Sequence, residues 1–80
     1  MSENKAILEK LIQIVANVMP QTDLSSITEE TRLMEDLGLG SMNLLVLMLE
    51  IESEYGFEFT GEETFTTVGD VIAYIIQRKA

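Results

Sequence analysis

Neither cysteine nor histidine occurs among the 80 residues of this chain. The first absence excludes a disulfide framework and a thiolate metal site. The second removes the usual general base, the Ser-His pair and the commonest zinc ligand. Enzyme chemistry would have to run on carboxylates alone, and no convergent pair of acids falls on one expected face. No catalytic residue and no metal ligand is therefore assigned. Long apolar runs are missing too. The polar opening Met1-Ser2-Glu3-Asn4-Lys5 leads into an amphipathic pattern, so neither a signal peptide nor a membrane span is expected. A soluble, cytoplasmic protein is the expectation.

Positive charge is scarce. Lys5, Lys10, Arg32, Arg78 and Lys79 stand against 14 acids, for a formal net charge of -9. Between Leu33 and Gln77 there are nine acids and no base, so the whole net charge lies in that stretch. Such a field repels nucleic acid phosphates and anionic lipid headgroups, and it attracts basic protein surfaces. Nucleic acid and membranes are poor partners for it.

What is present fits one domain spanning 1–80, with a single modest core. Ala6, Ile7, Leu8, Leu11, Ile12, Ile14, Val15, Val18 and Met19 recur at three- and four-residue spacing. They predict an amphipathic helix with Ser2 as N-cap and Pro20 as its stop. From Gln21 to Gly40 no period survives. Leu24, Ile27, Leu33, Met34, Leu37 and Leu39 are expected to pin this long loop to the core, with room for a short helical turn. A loop of such length in a small domain points to function. From Ser41 to about Tyr55 a second helix should bury Leu44, Leu47, Met48, Ile51 and Tyr55 and end at Gly56 in a left-handed cap. Phe57 and Phe59 read as extended loop anchors, since a lone strand has no partner. Gly61 to Phe65 suits a turn or a very short helix. Thr67 and Asp70 form a variant capping box ahead of a last helix carrying Val68, Val71, Ile72, Ile75 and Ile76. Arg78 and Lys79 lie near its negative end.

The most informative stretch is Glu35-Asp36-Leu37-Gly38-Leu39-Gly40-Ser41-Met42. Two glycines allow a tight turn, and Ser41 falls where the second helix begins. The first turn of a helix has unpaired amides and positive partial charge, so a phosphodiester on this hydroxyl would rest at a favourable anion position. A hydroxyl modified by a separate enzyme needs no base beside it. The plainer alternative is that Ser41 only caps the helix. Gly38-Leu39-Gly40 is not a dinucleotide loop, and a serine-hydrolase elbow lacks its histidine. Glu35 and Asp36 lack the ladder of a calcium loop.

This stretch resembles the signature of the acyl carrier protein family: Asp-Leu-Gly, two residues, then Ser and a large apolar residue. Glu52 to Tyr55 is similar to the acidic end of that family's second helix. Glu62-Glu63, Thr66-Thr67-Val68-Gly69-Asp70-Val71 and Tyr74-Ile75 resemble its closing segments, so the likeness covers nearly the whole chain. It implies an all-α, acyl-carrier-like bundle of three to four helices with a long first loop. It further implies that Ser41 receives 4'-phosphopantetheine from coenzyme A through a separate, magnesium-dependent phosphopantetheinyl transferase. The thiol of that arm would hold acyl groups as thioesters, in fatty-acid, polyketide or other specialised biosynthesis, and an acyl chain would enter between the helices. The chain itself would catalyse nothing. Partner enzymes would recognise the helix beginning at Ser41.

Two departures stand out. Gly40 replaces the Asp usual in the family, a position that assists transferase recognition. The interval from Tyr55 to Thr67 is shorter than in the family, which would abbreviate or remove the third helix. The alternative reading, an acidic interaction module of the same fold without an arm, rests on Gly40. Met42, Leu45, Val46 and Leu49 form a second apolar stripe, and acids begin only at Glu50. The stripe either packs beneath the long loop or docks acyl-loading and acyl-processing enzymes through apolar patches. Glu50, Glu52 and Glu54 are either a solvated helix end or a seat for basic patches on such partners. Glu62 and Glu63 read as plain surface. A free monomer is the simplest assumption.

Overall fold

The computed structural model of the chain describes residues 3–79. Among the described residues there are three helices: α1 (Glu3–Val18), α2 (Ser41–Tyr55) and α3 (Val68–Lys79). Among the described residues no strand forms beyond an isolated antiparallel bridge between Arg32 and Thr67. The expected all-α bundle is what the sequence builds. The expected cap Ser2 lies outside the described residues.

In α1 the spacing Ile7, Leu11, Ile14, Val15 puts one stripe into the core. Ala6, by contrast, is exposed. A last bond from the Met19 amide to the Val15 carbonyl closes the helix before Pro20, which has no amide to continue it. Both α2 and α3 pack on α1. The shared core joins the α1 stripe to Leu47 and Ile51 of α2, Val68, Val71, Ile72 and Ile75 of α3, and Leu33, Leu37 and Leu39 of the first loop.

That loop, residues 19–40, is far from structureless. Leu33, Leu37 and Leu39 are buried with the helical core residues, and Leu24 and Ile27 pack partly against that core. Arg32 to Gly38 winds as a helical turn, with the Asp36 and Gly38 amides donating to the Arg32 and Met34 carbonyls. On such a turn Leu33 and Leu37 share the inner face, and Met34, one position on, points out. Met34 is thus 53% exposed, not the anchor its hydrophobicity suggests. Backbone bonds then tie the loop to the start of α3: Leu33 N to Thr66 O, Val68 N to Thr31 O and Gly69 N to Glu29 O, all within 2.8–2.9 Å. The last approach is so close that a Cβ on Gly69 would sit 3.0 Å from the Glu29 carbonyl oxygen. Any larger residue there would need the Glu29 backbone to give way by a few tenths of an ångström.

α2 ends as its sequence foretells. Gly56 takes φ 73°, ψ 33° and donates its amide to the Glu52 carbonyl, a left-handed cap. Of the expected inner face, Leu47 and Ile51 are buried, Leu44 and Tyr55 pack against the core, and Met48 is half-buried. The connection that follows, residues 57–67, contains no helix. Phe57 and Phe59 are indeed loop anchors. With Phe65 and Tyr74 they form an aromatic cluster whose ring centroids lie 5.1–6.0 Å apart. Arg78 places its guanidinium over the Phe57 ring at 5.2 Å, so a cation–π contact engages it at the end of α3. The capping box is reciprocal: Thr67 N donates to Asp70 Oδ2 and Asp70 N to Thr67 Oγ1, each at 3.1 Å. Thr66 N adds a second bond to the same carboxylate oxygen, and these two amides hold Asp70 below the usual carboxylate range.

Glu63 corrects a sequence expectation. It is not idle surface. Its carboxylate accepts from Thr60 N, Thr60 Oγ1, Gly61 N and the Tyr74 hydroxyl, closing the second loop on α3. The Thr60 amide, followed by the Tyr74 hydroxyl, lowers its pKa to about 2.

Candidate functional site at the start of α2

Leu37, Gly38, Leu39 and Gly40 alternate between buried and exposed, so the chain reaches α2 with both leucines locked in the core. The Leu39 amide donates to the Leu33 carbonyl at 3.2 Å, fixing the approach from the backbone as well. Gly40 is the N-cap: its backbone is extended (φ −81°, ψ 179°) and its carbonyl accepts the first helical bond, from Leu44 N at 2.8 Å. The idea that Ser41 merely caps the helix is therefore wrong. Ser41 is the first helical residue and no side-chain hydrogen bond caps α2.

Ser41 is exposed. The amides of Ser41, Met42 and Asn43 precede the first helical bond, the arrangement that gives a helix start its affinity for anions. Nothing in the fold demands glycine just before it. An added Cβ at Gly40 would meet no heavy atom within 4 Å, and its φ is ordinary.

The Asp36 of the motif is structural. Its carboxylate accepts from the Arg32 guanidinium (Nε 3.2 Å, Nη2 3.0 Å) and from the Arg32 amide (2.8 Å). The Arg32 side chain, then its amide, holds Asp36 below its ordinary range. Glu35 pairs with the same guanidinium. The three- and four-residue spacing of Arg32 from Glu35 and Asp36 is the sequence signal for these pairs. No base stands free beside the serine in this turn.

Met42, Leu45, Val46 and Leu49 are 72%, 53%, 40% and 55% exposed. The expectation that they pack beneath the long loop fails: all four stay exposed, while Leu33, Leu37 and Leu39 of that loop lie in the core. The acids nearby divide. Glu50 is exposed. Glu52 is half-buried and accepts the Phe59 amide at 2.7 Å, so it braces the second loop. Glu54 pairs with Lys10 across α1 and α2 at 3.5 Å. Among the described residues no helix is long and apolar enough to cross a membrane.

Comparison with known proteins agrees with this geometry. The family described as phosphopantetheine attachment site matches residues 9–75. An acyl carrier protein of Thermotoga maritima is 35% identical over 77 residues, covering 94% of each chain. Acyl carrier proteins of Rickettsia canadensis and Rickettsia typhi are 39% and 38% identical, each over the whole of this chain and 94% of their own. Together with the three-helix fold, these matches show that the chain belongs to the acyl carrier protein family of phosphopantetheine-binding carriers.

Proposed function

We infer that this chain carries acyl intermediates on a 4'-phosphopantetheine arm joined to the Ser41 hydroxyl. The observation that carries the reading is an exposed, uncapped Ser41 at the first position of α2, inside the region matched by the attachment-site family. The residues there fit the group. The hydroxyl faces solvent, unpaired amides of the first turn face an incoming phosphodiester, and open space surrounds Gly40. When bound, the arm supplies a terminal thiol, the group that holds acyl cargo as a thioester.

The chain's own part is presentation. Leu37 and Leu39 fix the backbone before the serine, and the Arg32–Asp36 pairing holds the turn that bears them. Attack of Ser41 Oγ on the pantetheine-side phosphate of coenzyme A breaks its pyrophosphate bond and releases adenosine 3',5'-bisphosphate, and with Asp36 engaged and histidine absent the serine proton passes to a group outside this chain. Carrier and transferase are thus two halves of one site. Met42, Leu45, Val46 and Leu49 give the acyl-loading and acyl-processing enzymes an apolar seat beside the arm, while Glu50, Glu52 and Glu54 bias encounter toward basic surfaces. The alternative of an interaction module without an arm is not favoured, because Gly40 is its sole support and the attachment-site family matches through this position.

Incubation of the full chain with coenzyme A, magnesium and a promiscuous transferase tests the reading. Intact mass should rise by one phosphopantetheine in the wild type and stay unchanged in Ser41→Ala. An unchanged wild-type mass with several transferases would refute it.

A further inference from the structure

The second connection does more than join α2 to α3. Both helices pack on α1, and Phe59 ties them to each other. Its amide donates to Glu52 of α2 at 2.7 Å, and its ring stacks on Tyr74 of α3 with centroids 5.3 Å apart. Phe57 and Phe65 meet the Phe59 ring in T-shaped contacts at 5.1 and 5.6 Å. The Tyr74 hydroxyl donates to Glu63, so the ring on α3 is held in place as well. On α2 a half-buried edge, Leu44, Met48 and Glu52, begins three residues after Ser41 and ends at this bridge. An acyl chain led from Ser41 along that edge meets the stacked rings in its path. Resting on the carrier reading, we propose that the Phe59–Tyr74 bridge keeps short acyl chains out of the bundle, so that this carrier presents short or polar cargo in the open.

A balance of two effects sets where the exclusion ends. Entry between the helices favours a chain by about fourfold for each methylene taken from water. Each ring contact is worth about two- to tenfold beyond the area it buries, and parting Phe59 from its neighbours gives up all three. The ring area itself would also return to water. A butyryl tail therefore gains less by entering than the bridge loses by opening, whereas an octanoyl tail gains more. The family likeness implied entry between the helices; the bridge confines it to long chains. Short cargo stays in solvent on the arm, within reach of the enzymes that act on it.

The test loads the full chain from butyryl or octanoyl coenzyme A with a promiscuous transferase. Cleavage of each thioester by hydroxylamine is then timed against the same acyl group on free coenzyme A. Butyryl cargo on the wild type should be cleaved within about twofold of the free thioester, because the state that shelters it is scarcely populated. Octanoyl cargo should be cleaved more slowly and should shift the Tyr74 ring resonances. In Phe59→Ala, which removes the bridging ring, butyryl cargo should become protected by about fivefold. Phe59→Leu serves in its place should circular dichroism show that the alanine variant has lost its fold. Protection of butyryl cargo on the wild type would overturn the proposal, as would its full lability on a folded Phe59 variant. Equal lability of the two chains on the wild type, or octanoyl protection with the Tyr74 resonances unmoved, would overturn it too. Each of these results leaves the carrier reading standing. Absence of any mass gain on the wild type, with acylated or free coenzyme A, would instead overturn the carrier reading and this proposal with it.

Discussion

The two connections between the helices are built from different interactions. The first, residues 19–40, is held by three leucines in the core and by backbone bonds to the start of α3. The second, residues 56–67, has no fully buried side chain ahead of α3 and rests on aromatic edges and on the carboxylates of Glu52, Glu63 and Asp70. Apolar anchoring of the first kind is indifferent to pH and fixes a short segment rigidly. Anchoring through a carboxylate depends on its charge, and the segment it holds opens more readily. The chain uses the firm kind where Ser41 is presented and the softer kind on the far side of α2. That division is what a carrier requires if its attachment point must be presented in one geometry to different enzymes.

Substitutions can break the contrast. Leu39→Ala should be the most damaging single change in either connection, costing about 2–5 kcal/mol for a fully buried leucine. Urea unfolding monitored by circular dichroism measures it. In the same assay Phe57→Ala, at a half-buried position, should cost clearly less. A comparable loss at both sites would erase the distinction.

Because Asp23 and Asp36 of the first loop are lowered as well, a pH titration isolates the second loop only through a Glu63 variant. Glu63 is lowered to about 2 in the folded chain, and Asp70 is lowered as well. Their contribution is therefore complete above the ordinary carboxylate range. It is lost as pH falls from about 4.5 towards 2, as the folded-state groups take up protons. Thermal unfolding from pH 6 to pH 2.5 should show the melting temperature falling on the acid side, with a shallower fall in Glu63→Gln. An identical pH profile for the variant would show that Glu63 does not link its loop to α3.

The faces of α2 give a sharper pair. Leu47 is 2% exposed and its neighbour Val46 is 40% exposed. Leu47→Lys should abolish folding or nearly so by burying an unpaired charge, whereas Val46→Lys should leave helicity intact. The smallest effect is expected at the cap. Gly40→Asp meets no obstruction and should stabilise α2 by a few tenths of a kcal/mol, detectable as a small rise in melting temperature.

Local chemistry made much of this legible in the sequence. Pro20, Gly56 and the Thr67–Asp70 box mark helix ends through geometry that a few residues determine, and α2 runs from Ser41 to Tyr55 as its spacing implies. The serine's place at the helix start was equally plain. Features set by distant partners were not. The role of Glu63 needs Tyr74, eleven residues on, and that of Glu52 needs the Phe59 amide across a helix end. Met34 reads as an anchor until the loop winds into a turn that points it outward. Whether the stripe after Ser41 was covered or open depended on the tertiary packing of the first loop, and no local pattern encodes that.

Peptide mapping by mass spectrometry, on the protein purified from its own cells, addresses the central claim most directly. One phosphopantetheine should be found on the peptide containing Ser41, with the other serines unmodified. A chain recovered wholly without the arm, or bearing it on another residue, would contradict the account.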